Sequence, residues 1–394
     1  MSTALVLLGD IATLQAGFGF PPSLQGRTNG RYPFAKVGDI SRGGRSESSI
    51  LSKADHYVDA ADVAALRAKI VPPGSILFAK IGEAIRQNHR VVAGCEMLID
   101  NNAMAAIPNA RVDSRFLYHY LKTVDFYCLA PATTVPALRK SDLERLQVPL
   151  PPLPEQRRIA AILDQADALR AKRREALAQL DSLTQSIFIE MFGDPATNPK
   201  GWPAATLGDF IFTASDGPHV SPPYSETGIP FLSTRHVRPG EISWSDLKYL
   251  AESDAAVQWK KCRPQRGDIL YTKGGTTGLA AAVRTDTPFA VWVHVALLKP
   301  NPSKVETEWL ESMLNAEFCY RQSQDLTHGI ANRDLGLKRM TKIRMYSPPL
   351  SLQREFVERK ERVNSIRATS RLALAELDAL FASLQHRAFA GQLL

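Results

Sequence analysis

The chain carries the same helical segment twice, at a fixed distance. Leu150-Pro151-Pro152-Leu153-Pro154-Glu155-Gln156-Arg157 is echoed by Ser347-Pro348-Pro349-Leu350-Ser351-Leu352-Gln353-Arg354, 197 positions later. Ala176-Leu177-Ala178-Gln179-Leu180-Asp181-Ser182-Leu183 matches Ala373-Leu374-Ala375-Glu376-Leu377-Asp378-Ala379-Leu380 at the same 197. Pro33-Phe34 and Gly43 recur, again 197 on, as Pro230-Phe231 and Gly240. Fainter echoes link Leu8-Gly9-Asp10 to Leu207-Gly208-Asp209 and Pro108-Asn109 to Pro300-Asn301. Gly74-Ser75-Ile76-Leu77-Phe78-Ala79-Lys80 is likewise echoed by Gly267-Asp268-Ile269-Leu270-Tyr271-Thr272-Lys273. So long a period means duplicated domains, not a solenoid. The order is globular unit, helix, globular unit, helix. The boundaries expected are 1–150, 151–193, 194–348 and 349–394.

Proline announces each helix. Pro149, Pro151, Pro152 and Pro154 stop a strand and fix an extended entry. Neither Pro nor Gly follows until Gly193. Ile159, Ile162, Ala166, Leu169, Ala176, Leu180, Leu183 and Ile187, with Arg173 included, alternate steps of three and four, a heptad seam. The second copy places Phe356, Val363, Ile366, Ala373, Leu377, Leu380 and Leu384 on the equivalent seam, interrupted by Arg359 and Ser370. A helix of about 35 residues is roughly 50 Å long. A stripe that narrow and long needs a partner helix, and the economical partner is the other copy, antiparallel, giving a pseudo-two-fold repeat. The expected class is α/β (α+β): two globular units and a pair of long antiparallel coiled-coil helices.

In the globular units, Ser75-Ile76-Leu77-Phe78 and Ile269-Leu270-Tyr271 are bounded by Gly and Pro and predict strands; residues 115–121 and 307–314 predict short helices. Polar loops between them carry Arg42, Arg45, Lys80, Arg86, Gln87, Asn88, His89 and Arg90 in the first unit. The second has Arg235, His236, Arg238, Lys273, Thr276 and Thr277. Arg and Lys suit guanine edges and phosphate, and Asn and Gln suit adenine edges. A net charge of +8 points the same way. Cys95, Cys128, Cys262 and Cys319 are scattered without metal-ligand spacing, so neither a metal site nor a disulfide framework is expected. No apolar run reaches membrane-spanning length and the start lacks a basic n-region, so a cytoplasmic protein without a membrane partner is expected.

The segment Val148-Pro149-Leu150-Pro151-Pro152-Leu153-Pro154-Glu155-Gln156-Arg157-Arg158-Ile159 resembles the entry to the conserved helix of type I restriction–modification specificity subunits. Asp216-Gly217-Pro218-His219-Val220-Ser221-Pro222-Pro223-Tyr224, followed by Gly228-Ile229-Pro230-Phe231-Leu232, resembles the opening of their target recognition domains. Gly267-Asp268-Ile269-Leu270 and Thr134-Val135-Pro136-Ala137-Leu138 are similar to further landmarks. The resemblance implies a non-catalytic subunit binding double-stranded DNA, each recognition domain reading half of a bipartite site. It adds His219, Ser221 and Tyr224 to the DNA-facing set. It implies helices that set the spacer and dock two methyltransferase subunits. Those partners hold S-adenosylmethionine and methylate adenine N6, while this chain binds no cofactor; two restriction subunits are optional further partners. The second copy departs from the pattern at Ser351-Leu352, where the first has Pro154-Glu155, and residues 328–339 match 134–140 poorly.

Two other readings stand beside this one. Ser221-Pro222-Pro223-Tyr224 fits a loose amino-methyltransferase pattern, which would make the chain a self-sufficient adenine methyltransferase. Its nearest cofactor loop, Ala16-Gly17-Phe18-Gly19-Phe20-Pro21, has a proline where a helix should start. Glu358-Arg359-Lys360 has a nuclease-like spacing without clustered carboxylates, and residues 274–278 lack a P-loop Lys. The other reading is a protein scaffold that never touches DNA.

Overall fold

The computed structural model describes residues 4–45, 49–130, 134–329 and 333–392. It divides into two compact units: Met1–Leu177 with Thr369–Leu394, and Ala178–Ala368. Among the described residues no helix is long and apolar enough to cross a membrane.

Both units are built on one plan. In the first, a sheet runs Ala12–Ala16, Ala103–Pro108, Ile76–Ala79, Arg90–Ala93, Ile50–Leu51 in spatial order. In the second, the order is Ile211–Asp216, Val295–Pro300, Ile269–Thr272, Ala280–Ala282. The central strand Ile76–Ala79 and its counterpart Ile269–Thr272 are buried along their whole length, which explains their unbroken apolar runs. The helices Ser114–Thr123 and Thr307–Asn315 cover these sheets. Each unit also has a three-stranded sheet whose middle strand is Tyr32–Ala35 or Ile229–Leu232. Two-stranded ribbons, Ala4–Leu7 with Gln147–Leu150 and Ala204–Thr206 with Arg344–Tyr346, lead towards the long helices.

The long helices span Leu153–Phe192 and Leu350–Phe389, 40 residues each, or about 60 Å. Gly193 stops the first with φ +80°, where a Cβ would lie 2.6 Å from Pro199. In the first unit Arg170 bonds Asp378 at 2.5 Å and Asp167 at 2.7 Å and lies 4.2 Å over the Phe381 ring. In the second, Arg367 bonds Asp181 at 2.9 Å and the Leu180 carbonyl at 3.1 Å. Nearby, Phe188 and Phe192 both pack edge-on against Phe356. As the first helix advances from 180 to 192, its partners retreat from 367 to 356, so the pair is antiparallel. Each buried aromatic contributes about 1.5–3 kcal/mol.

The buried stripe differs from the expected seam at every second position. Ile159, Ala166, Leu180, Phe356, Val363 and Leu377 lie on the buried or half-buried side. The positions between them are reached by steps of four, then three: Leu163, Arg170, Leu177, Thr184 and Met191, and then Lys360, Arg367, Leu374, Phe381 and Ala388. Expected seam residues Leu169, Leu183, Ile366 and Leu380 are 42–55% exposed, and Ile162 is half-buried. Apolar lettering favours the outer stripe. The inner stripe instead uses Arg170, Arg367 and Lys360, whose long stems pack while their heads find carboxylates.

Candidate nucleic-acid interface

The three-stranded sheet of each unit carries an aromatic and basic cluster at one strand. In the first unit Phe34, fully buried, stacks on Phe20 at 3.8 Å and 12°, with Phe18 tilted beside it at 5.6 Å. The Lys36 ammonium and the His56 ring each lie 5.3 Å from the Phe20 ring. In the second, Phe231 meets Tyr224 at 6.1 Å and Trp292 at 5.8 Å, and Lys248 sits 4.0 Å over Tyr224. The rings stand apart there and leave a cavity of about 260 Å³ lined by Tyr224, Phe231, Ser233, Arg235, His236, Lys248 and Trp292. Aromatic faces beside cations suit bases and their phosphates. Phe20, Lys36, His56, Lys248 and Trp292 were not among the residues expected from sequence; the repeated Pro-Phe pairs at 33–34 and 230–231 were the signal for this strand.

Glycine sets the course of the chain entering each cluster. A Cβ at Gly217 would sit 1.9 Å from the Val291 carbonyl oxygen, and one at Gly17 would sit 2.0 Å from that of Asp100. Only glycine allows so close a backbone approach.

In the first unit, Arg42 is exposed and pairs with Asp39 at 2.6 Å and Asp55 at 2.5 Å. Arg45, Arg86 and Gln87 are exposed, Lys80 and His89 half-buried. Arg86 bonds Glu83 at 3.0 Å and stacks 3.8 Å over Tyr127. Asn88 and Arg90 are spent inside the fold. Asn88 has φ +52° and donates to the Val124 carbonyl at 3.1 Å, while its Oδ1 accepts from Arg90 at 2.7 Å. Arg90, 3% exposed, lies 3.7 Å over the Phe126 ring, and burial pulls its pKa down to about 9. Base reading is therefore not assigned to Asn88 or Arg90.

In the second unit, His219, Ser221, Tyr224, Arg235, Arg238 and Thr276 are exposed. His236, Lys273 and Thr277, expected among the DNA-facing residues, are buried in the fold. His236 Nδ1 accepts from the Ser233 backbone N–H at 2.8 Å. Lys273 lies between Asp216 at 3.3 Å and Asp334 at 3.1 Å. Thr277 is tied to Thr327 at 3.0 Å. Burial pushes the Asp216 carboxyl up, but Lys261 and Lys273 overcome this and hold it below its usual range.

The geometry gives the catalytic alternatives little support. Gly17-Phe18-Gly19 leads from a strand into the short turn Pro22–Leu24, not into the helix that a cofactor loop needs. Lys360 of the nuclease-like triplet is buried and bonds Glu311 at 2.6 Å. Residues 274–278 form the turn between strands Ile269–Thr272 and Ala280–Ala282. Among the described residues no group of three or more His, Cys, Asp or Glu could hold a metal ion.

Comparison with known proteins places the molecule. Residues 4–179 match the family model of the type I restriction modification DNA specificity domain. The chain is 24% identical over 317 residues to the type I restriction enzyme EcoBI specificity subunit of Escherichia coli, covering 72% of this chain and 66% of that protein. It is 21% identical to the MjaVIII specificity subunit of Methanocaldococcus jannaschii, covering 66% and 65%. The match thus spans just under two thirds of these relatives' length. Among solved structures, the S subunit of a type I restriction-modification system from M. genitalium superposes with a TM-score of 0.57 at 16% identity, covering 98% of this chain and 96% of that one. A chain from a study of complex assembly and conformational transition of the type I R-M system also gives 0.57, at 19% identity, covering 100% and 98%.

Proposed function

We propose, from the match of residues 4–179 to the type I restriction modification DNA specificity domain and the likeness to specificity subunits, that this chain is the non-catalytic DNA-reading subunit of a methylating complex. Each globular unit reads one half of a bipartite duplex site. The observation that carries this reading is the repeated aromatic and basic cluster. The same strand is flanked in the same way in both units but dressed with different side chains: Phe20, Lys36 and His56 in one, Tyr224, Arg235, Lys248 and Trp292 in the other. Common scaffolds with unlike reading surfaces are what an asymmetric two-part site requires.

The partners in this reading are two methyltransferase subunits, which bind S-adenosylmethionine and supply the adenine-N6 chemistry, with restriction subunits as an addition. They would work in the cytoplasm. The helix pair sets the unread spacer. The exposed Leu169 and Leu183 recur 197 positions on as the exposed Ile366 and Leu380, so two copies of one partner fit them equally. The test is methylome sequencing of cells expressing this chain with its methyltransferase. The expected result is N6-methyladenine at one bipartite motif with a fixed spacer. A continuous motif, or methylation unchanged when the chain is deleted, would falsify the reading.

A further inference from the structure

Lys80 and Lys273 occupy one backbone position in the two units. Ala16 and Phe78 both pair with Met104, as Asp216 and Tyr271 both pair with Ala296. The Lys80 N–H donates to the Asn102 carbonyl at 2.7 Å, and the Lys273 N–H to that of His294 at 2.8 Å. The Lys80 carbonyl accepts from Leu138 N–H at 2.9 Å, and the Lys273 carbonyl from Leu335 N–H at 2.7 Å. Single bridges join Ile81 to Ala137 and Gly274 to Asp334. The correspondence therefore sets Ala16 against Asp216 and Ala137 against Asp334.

The surroundings of the two ammonium groups differ by two carboxylates. Lys273 is buried and bonded to both Asp216 and Asp334. Arg339 adds a further contact to Asp334 at 3.3 Å. In the first unit alanine stands at both carboxylate positions, Lys80 is half-buried, and among the described residues its ammonium has no acidic partner. A lysine is a compact point charge, suited to a phosphate oxygen.

We infer that Lys80 contacts a DNA backbone phosphate, whereas Lys273 is neutralised inside its unit and positions the strand end at Asp216 and the loop bearing Asp334. The two readers thus hold DNA unequally at equivalent positions. This rests on the DNA-reading function proposed above, and it assigns a phosphate contact to one unit alone.

The test uses the full chain and a fluorescein-labelled duplex of mixed sequence, with binding followed by anisotropy as NaCl rises from about 50 to about 200 mM. For K80Q the slope of log Kd against log salt should fall by about 0.9, so that the variant loses about 3.5-fold less affinity than wild type over that range. K80R should keep the wild-type slope. A137D, which supplies the carboxylate that the second unit has, should lower the slope in the wild-type background and by less in the K80Q background. K273Q should leave the slope unchanged, with circular dichroism checking its fold. If K273Q does not fold, the Lys80 and Ala137 variants decide alone. An unchanged slope in K80Q, or an equal fall in a folded K273Q, overturns the inference and leaves the reading function standing. A wild-type chain that binds no duplex at low salt overturns both.

Discussion

The side-chain Oε1 of Gln156 accepts from the backbone N–H of Asp113 at 2.7 Å, tying the first long helix to the start of the helix Ser114–Thr123. Its Nε2 donates to the carbonyls of Pro151 at 2.8 Å and Arg111 at 3.1 Å. Gln353 repeats the arrangement with the Glu306 N–H at 2.9 Å and the Pro348 carbonyl at 2.8 Å. Both glutamines are buried. Gln353→Ala should therefore destabilise its unit by about 1–3 kcal/mol through the groups it strands. All five tryptophans lie within Ala178–Ala368, so urea unfolding followed by tryptophan emission reads that unit. A midpoint equal to wild type would refute the role.

Asp164 on the first long helix bonds Arg115 through both oxygens and accepts from His119 Nε2 at 2.6 Å. Burial raises its carboxyl, but His119 and Arg115 prevail and bring it down to about 2, against 3.8 ordinarily. The folded state therefore binds the proton less readily than the unfolded chain. The stabilisation is complete above pH 4 and fades as pH falls towards 2. Asp164→Asn should be less stable than wild type at neutral pH and flatter across that acid window. Unfolding midpoints measured at several pH values check this, and parallel curves would contradict it.

Arg90 is a buried cation held by Phe126, Asn88 and backbone carbonyls, and among the described residues it has no carboxylate hydrogen bond. Replacing such a charge by an apolar side chain of similar length is often neutral or stabilising. Arg90→Met should leave the salt dependence of duplex binding unchanged and alter stability by less than about 2 kcal/mol. A fall in the salt slope would restore Arg90 as a DNA contact.

The outer stripe of the helix pair is apolar and exposed at Leu169, Leu183, Ile366 and Leu380. Glutamate there costs little folding free energy, within about 0.5 kcal/mol at a surface site, but disrupts an apolar interface. Leu169→Glu with Ile366→Glu should keep the wild-type circular dichroism spectrum and lose co-purification of the proposed methyltransferase partner. Retention of the partner at wild-type yield would exclude this stripe as the docking face.

The duplication, the helix pair and the buried central strands were legible because each rests on periodicity or on runs of one residue class. The inner stripe was not. Arg170 and Lys360 read as surface letters, and the carboxylates of Asp378 and Glu311, distant in sequence, help to draw them inward. The same limit governs the interface. Lys80 and Lys273 are one letter in one motif, yet their fates depend on residues on other strands and loops. Tyr224 and Arg235 stood out by type, whereas Trp292 joins them only because the strand Ala290–Val291 pairs alongside Ile229–Leu232. Arg90 follows a polar loop and looks free until the sheet closes over it.

Thr369–Leu394 completes the unit that Met1–Leu177 begins, with Phe389 packed against Phe116 and Tyr120 at 5.4 Å. Ribosomes make protein in one direction. At about 5–20 residues per second, the roughly 190 residues between these segments occupy about 10–40 s. For that interval the nascent first unit carries an uncovered aromatic face, while the second unit is synthesised in one uninterrupted stretch. The order of translation thus makes the earlier domain the later one to finish folding.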